Sequence, residues 1–84
     1  MAVTLRTRAH IRLNHQPDVL DFVQELSKYD DKFSIENKDG SHRVNAKSVI
    51  GVMYTMADFS DEMYLVNDTN DGNIPVALNK YRLL

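Results

Sequence analysis

The spacing of apolar residues switches along this chain between the period of a β-strand and that of an α-helix. Residues 3–13 place apolar side chains on one face and polar ones on the other, which predicts a half-buried strand. After Asn14, apolar residues recur at three- and four-residue spacing, which predicts a helix over about residues 17–29. Pro17 is expected at the first position of this helix, where its missing N–H is tolerated.

The middle of the chain predicts a hairpin followed by a second helix. Phe33 to Glu36 form one short strand and residues 41–45 the next, around a turn at residues 37–40 that ends in Asp39-Gly40. Helical spacing returns over residues 46–56, where Gly51 is expected to weaken and shorten the helix.

The last third of the chain predicts one more strand and one more helix. Residues 62–67 alternate, a polar loop follows, and Asn73 is the expected cap of a helix that continues to Leu83. The order β-α-β-β-α-β-α in a chain of 84 residues indicates a single α+β domain spanning 1–84. We expect one antiparallel or mixed sheet, with the helices on one face and water on the other.

The composition excludes several classes of function. The absence of cysteine removes disulfides, thiolate zinc sites, iron–sulfur clusters and cysteine nucleophiles, and three glycines are too few for a phosphate-cradling loop. No apolar stretch approaches the length of a membrane span, and the N-terminus lacks the apolar run of a signal peptide. A net charge of −2 argues against nucleic acid as a partner. We therefore expect a cytoplasmic protein that binds neither nucleic acid nor membrane.

The charges are distributed unevenly. Residues 1–14 contain three arginines and no acid, whereas residues 57–72 contain five acids and no base. These two segments would stabilise each other as neighbours. The basic segment is either one solvated strand face opposite an acidic one or a patch that binds phosphate or an acidic partner.

Three histidines are present, and only His15 has a position that suggests chemistry. His10 and His42 are expected on the surface, and no pair has helical metal-ligand spacing. His15 lies just before the first predicted helix, where unpaired N–H groups and the helix dipole favour an anion such as a phosphoryl group. A simple capping or surface role is the alternative.

Ser48 stands at the beginning of the second predicted helix. A hydroxyl there is commonly a cap, and a phosphate added there would be stabilised rather than repelled. The methionines Met53, Met56 and Met63 are expected in the core, unless a short second helix leaves Val49, Ile50 and Met53 as an apolar docking patch beside the serine.

The segment VNAKSVIGVM at residues 44–53 closely resembles the HPr family, the histidine-containing phosphocarriers of the bacterial sugar phosphotransferase system. There the stretch reads valine, asparagine, a small or apolar residue, lysine, serine, two aliphatics or methionine, glycine, valine and methionine. VQELSKY at residues 23–29 resembles the end of the family's first helix. Over residues 2–67 the resemblance implies an open-faced β-sandwich, four antiparallel strands with three helices on one face.

The same resemblance places His15 on the family's phosphorylated histidine and Ser48 on its regulatory serine. The active loop departs from the family pattern of glycine, aliphatic, histidine, alanine, arginine and proline. Pro17 stands in place of the arginine, and Asp18 stands in place of the proline. A carboxylate near a phosphohistidine would repel it, so phosphoryl transfer through His15 is expected to be weakened.

The resemblance implies two functions, and the altered loop favours the first. In that one, a serine kinase modifies Ser48, and the chain binds a phosphotransferase-system protein or a transcription regulator. The expected contact residues of that regulatory module are Lys47, Val49, Ile50 and Met53.

In the second function, His15 accepts a phosphoryl group and passes it to a sugar permease component. Arg12 is then the candidate cation beside the phosphate. An HPr-like domain with another binding role is a third reading. In each case the chain is at most a phosphoryl carrier, with no cofactor, no metal and no independent catalytic site expected.

Overall fold

A computed structural model of the chain describes residues 7–59, 62–69 and 72–83. It confirms the predicted order of elements. These are β1 (Thr7–Ile11), α1 (Gln16–Leu26), β2 (Phe33–Glu36), β3 (Arg43–Asn45), α2 (Val49–Asp58), β4 (Met63–Asn67) and a 3-10 helix (Val76–Tyr81).

The ends of the first helix differ from the prediction. It begins at Gln16, so Pro17 holds the second position rather than the first. It ends at Leu26 instead of residue 29, because the N–H groups of Lys28 and Tyr29 donate to carbonyls three residues back and form turns. Of the first predicted strand, residues 3–6 lie outside the described residues.

Two further predictions about helices were wrong. Gly51 does not shorten α2, which continues to Asp58, because this glycine lies in the first turn and the turns that follow bury Val52 and Thr55. The last helix is of the 3-10 type, and its cap is Pro75 rather than Asn73.

The strands form one antiparallel sheet in the order β1-β4-β2-β3. The register places Ala9 opposite Leu65 and Leu65 opposite Ile35, so these apolar side chains share one face. The helices cover that face and enclose the core around Phe22, which is fully buried. The predicted open-faced sandwich is therefore confirmed.

The other face of the sheet is covered by its own side chains, although we expected it to be open to water. Glu36 and Val66 point to this face and are buried, with only 2% of Glu36 exposed. The Nε atoms of Arg8 and Arg43 lie 2.9 and 3.4 Å from the Glu36 carboxylate, and Arg43 also pairs with Asp68. Long arginine side chains can cover a sheet in this way while their charged ends stay near water.

The uneven charges are paired differently from the prediction. The strands that carry them, β1 and β4, are neighbours, but Arg8 bonds to Glu36 on β2, outside the acidic segment. Its guanidinium also lies 3.9 Å from the ring centroid of Tyr64, on which His10 stacks at 4.7 Å. The basic face of β1 is therefore engaged by the sheet itself.

The C-terminal 3-10 helix is fastened to α1. The Tyr81 hydroxyl donates to Asp21 Oδ2 at 2.6 Å, and Lys80 Nζ lies 2.8 Å from the same oxygen. Bonds from Lys80 and then Tyr81 lower the pKa of Asp21. Burial, and then the Asp21 bond, raise the pKa of Tyr81.

Candidate functional site

His15 is the N-cap residue of α1. Its backbone is extended, and its carbonyl accepts from the N–H groups of Asp18 and Val19 at 3.0 and 3.3 Å. Its side chain is exposed and makes no capping hydrogen bond. The ring therefore lies at the N-terminal end of α1, the mouth of this helix, as the sequence predicted. No capping hydrogen bond fixes it there.

The donors at this mouth are largely satisfied by the chain's own groups. Asp18 turns back so that its Oδ2 accepts the N–H of Asn14 at 2.9 Å. The N–H of Asp18 is taken by His15, and Pro17 has no N–H to offer. A phosphoryl group on His15 would meet a carboxylate and few free donors here.

Ser48 is the N-cap residue of α2, and it caps through its side chain. Its Oγ accepts the N–H of Gly51 at 3.2 Å, and its carbonyl accepts the N–H of Val52 at 2.9 Å. The hydroxyl is partly exposed. Asn45 shapes the approach to the helix, because its Oδ1 accepts the N–H of Lys47 at 2.9 Å.

Gly51 leaves space beside the Ser48 hydroxyl. A Cβ at this position would lie 3.4 Å from both Cβ and Oγ of Ser48, and 3.5 Å from the Asn45 carbonyl oxygen. A methyl group there would be in van der Waals contact with the oxygen that would carry a phosphate. The glycine that the sequence suggested as a weakness of the helix therefore leaves this side of the Ser48 hydroxyl open.

The four predicted contact residues divide into two kinds. Lys47 is engaged with the segment between α1 and β2, because its Nζ donates to the Tyr29 carbonyl and lies 5.9 Å from the centroid of the Phe33 ring at the start of β2. Val49 is half-buried against the core. Ile50 and Met53, by contrast, are 83% and 42% exposed, and they form an apolar surface in the first turns of α2.

Comparison with known proteins identifies a family that matches this sequence. The model of the family described as "PTS HPr component phosphorylation site" matches residues 15–73, which is more than half of the chain. The chain belongs to the HPr family. No curated protein and no solved structure matches it.

Membership makes this HPr protein a phosphocarrier-type member of the phosphotransferase system that interacts with other proteins of that system. The match begins at His15 and includes Ser48, so it spans both helix mouths.

The other residues that the sequence singled out do not come together in one site. Arg12 is exposed, and its backbone N–H donates to the Tyr81 carbonyl at 2.8 Å. Its role beside a phosphate stays a prediction. His42 is exposed and is part of the hairpin turn. Its Nδ1 and the Oγ of Ser41 share a hydrogen bond of 3.1 Å. Of the methionines, Met63 is in the core, Met56 packs against it, and Met53 is exposed.

Sequence reasoning missed two exposed residues of α2 in this HPr protein. Tyr54, 53% exposed, and Ala57 follow Ile50 and Met53 on the outer face of the helix. Their spacing was readable in the sequence, but Ala57 lay beyond the expected end of α2 at residue 56, and Tyr54 was not considered as a contact residue. Among the described residues, no group of metal-ligating side chains and no helix of membrane-spanning length occurs.

Proposed function

We propose that this HPr protein is a phosphorylation-dependent binding module that acts through Ser48, with weakened phosphoryl transfer at His15. The observation that carries the proposal is the contrast between the two helix mouths. The mouth of α2 presents a partly exposed hydroxyl beside the exposed side chains of Ile50 and Met53. At the mouth of α1, Pro17 has no N–H to donate, and the Asp18 carboxylate accepts the N–H of Asn14.

A phosphate on Ser48 is chemically favoured by its surroundings. It would lie at the positive end of the α2 dipole, near N–H groups of the first turn, with the space that Gly51 leaves. The first turn of α2 contains no acidic residue that would repel it. The added charge would then stand next to an apolar surface, and a basic protein site could recognise the two together.

The contacts of this surface follow from its exposure. Ile50 and Met53 are the central contact residues, because they are the most accessible of the four predicted ones. Val49 supports the helix from the core side, and Lys47 joins the segment before α2 to the turn after α1. The binding protein is a phosphotransferase-system component or a transcription regulator, and an HPr serine kinase supplies the modification.

A competent phosphocarrier is the second candidate. It is favoured by the exposed side chain of His15, which makes no capping hydrogen bond and lies in the matched region. In this case His15 takes a phosphoryl group from the general enzyme of the system and passes it to a sugar permease component. Arg12 would have to supply the cation that position 17 lacks.

Two phosphorylation reactions separate the candidates. With ATP and an HPr serine kinase, we expect an acid-stable phosphate that is absent from Ser48→Ala. With phosphoenolpyruvate and the general phosphotransferase enzyme, we expect little acid-labile phosphate. Abundant labile phosphate that disappears in His15→Ala would establish the carrier instead. No phosphate in either reaction would leave an HPr-fold protein with another binding role.

A further inference from the structure

The outer face of α2 carries an apolar stripe longer than the surface beside Ser48. Ile50, Met53, Tyr54 and Ala57 are all exposed and follow the i, i+3, i+4, i+7 spacing of one helix face. The inner face is also apolar, since Val52 is fully buried. One apolar face of α2 packs on the core and the other is exposed to solvent. The spacing of the exposed face suits packing against a second helix.

The Tyr54 side chain in this stripe is held in place. Its hydroxyl donates to Asp58 Oδ2 at 3.2 Å, and its ring meets the edge of Phe59 with centroids 6.4 Å apart. The charge and the hydrogen bond of Asp58 raise the pKa of Tyr54, so the phenol keeps its proton. A positioned aromatic ring loses little side-chain entropy when it contacts a partner.

The stripe leads into a groove of about 450 Å³ between the end of α2 and the β2–β3 turn. Among its lining residues are three acids, one lysine and one histidine: Lys38, Asp39, His42, Asp58 and Glu62. Hydrogen bonds from Ser41 lower the pKa of Asp39, which keeps its carboxylate charged. The groove therefore has a net negative lining.

The acidic end is electrostatically costly for the helix itself. Asp58 lies in the last turn of α2, where the dipole disfavours negative charge and the turn itself contains no basic residue. A cationic side chain from outside would offset this cost. A second copy of α2 could not supply one, because residues 49–58 contain no lysine or arginine.

We propose that the stripe Ile50–Met53–Tyr54–Ala57 and its acidic groove bind an amphipathic helix of another protein, with a lysine or arginine of that helix in the groove. This inference rests on the proposed binding function and adds the chemistry of the partner. Tyr54, Ala57 and Asp58 follow residues 44–53, the stretch that reads like the family pattern residue by residue.

The probe is a fluorescently labelled synthetic helix with a leucine stripe that ends in two lysines, and a twin peptide ends in two glutamates. Anisotropy titration of the full chain should give tighter binding of the lysine peptide. We expect Tyr54→Ala and Asp58→Asn each to raise its Kd about tenfold, which is a typical effect of an interface anchor. Asp58→Lys should shift the preference toward the glutamate peptide.

Matched controls test whether the effects are local. Val76→Ala removes an exposed apolar side chain from the 3-10 helix, and Asp30→Asn removes an exposed acid from the loop after α1. Both should bind like the unmodified chain. Circular dichroism and thermal unfolding of every variant separate loss of the surface from loss of the fold.

Three outcomes would overturn the inference. They are equal binding of the two peptides, unchanged Kd in Tyr54→Ala and Asp58→Asn, and a dimer in ultracentrifugation that Tyr54→Ala dissociates. Ser48 phosphorylation is measured separately on the same variants. A phosphorylated chain without peptide selectivity would refute this inference alone, and selectivity without phosphorylation would refute the regulatory function alone.

Discussion

The N-cap residues of α1 and α2 in this HPr protein have the same extended backbone, but they cap their helices in different ways. At α1, an extended residue 15 caps through its carbonyl, and a carboxylate from residue 18 takes a nearby N–H. At α2, an extended residue 48 caps through its hydroxyl, and a glycine three residues later leaves space around it.

This difference shows that position at a helix terminus does not by itself make an anion site. At both mouths the helix dipole places a partial positive charge. What distinguishes them is whether the neighbouring side chains already satisfy or repel what would bind there. Asp18 is a built-in anion at the first mouth, whereas the first turn of α2 contains no acid.

The largest effect is expected from restoring donors at the mouth of α1. Pro17→Arg adds an N–H and a guanidinium, and Asp18→Asn removes the charge but keeps an acceptor for Asn14. Each change is worth on the order of 1 to 2 kcal/mol of phosphoryl stabilisation, so together they should raise acid-labile phosphate roughly a hundredfold. The measurement is labelling from phosphoenolpyruvate with the general enzyme.

The control for this gain is the same double variant with His15→Ala, which should carry no labile phosphate. If the double variant is labelled no better than the unmodified chain, then Pro17 and Asp18 are not what limits His15. The contrast between the two mouths would then lose its chemical meaning.

A smaller effect is expected from the side chains of the two N-cap residues. Ser48→Ala should lower the free energy of unfolding by about 1 kcal/mol, because the hydroxyl accepts the Gly51 N–H. For a domain of this size that corresponds to a Tm decrease of about 4 to 8 °C. His15→Ala should change stability by less than about 0.5 kcal/mol, because its side chain makes no cap.

Urea denaturation of both variants tests this pair, and Ser48→Asp serves as the control because it keeps a capping oxygen. Equal destabilisation by His15→Ala and Ser48→Ala would contradict the capping assignment.

The smallest effect is expected from the contact between Asp21 on α1 and Tyr81 on the 3-10 helix. The pKa of Asp21 is lowered below 3.8, so its contribution to stability is present above that value and is lost as pH falls through the folded pKa. The pKa of Tyr81 is raised above 10.0, so its contribution is present below 10.0 and is lost as pH rises further.

Urea unfolding across pH tests both directions. Asp21→Asn should flatten the acid limb, and Tyr81→Phe should flatten the alkaline limb, each relative to the unmodified chain. Unchanged limbs in both variants would show that the Asp21–Tyr81 contact does not couple to unfolding.

Much of the fold was readable from the sequence, and the misses have identifiable causes. The alternation of periods predicted every described element in order, because a buried face must repeat with the geometry of its backbone. The end of α2 was misplaced because the intrinsic cost of Gly51 was weighed above the burial of Val52 and Thr55 in the following turn.

The candidate site was predicted by residue type but not by environment. The sequence located His15 and Ser48 at helix mouths. It did not show that Asp18 bonds to Asn14, that Lys47 bonds to Tyr29, or that Gly51 lies beside the Ser48 hydroxyl. These depend on side-chain directions and on contacts between elements distant in the chain.

The sequence by itself determined which residues share a face, that His15 and Ser48 lie at the beginnings of helices, and the segment 44–53 that marks the family. Only the tertiary structure decided which faces meet. Glu36 is buried between Arg8 and Arg43 because the order β1-β4-β2-β3 brings together strands far apart in the chain. Periodicity is a property of one segment, whereas pairing and exposure depend on what the rest of the chain places beside it.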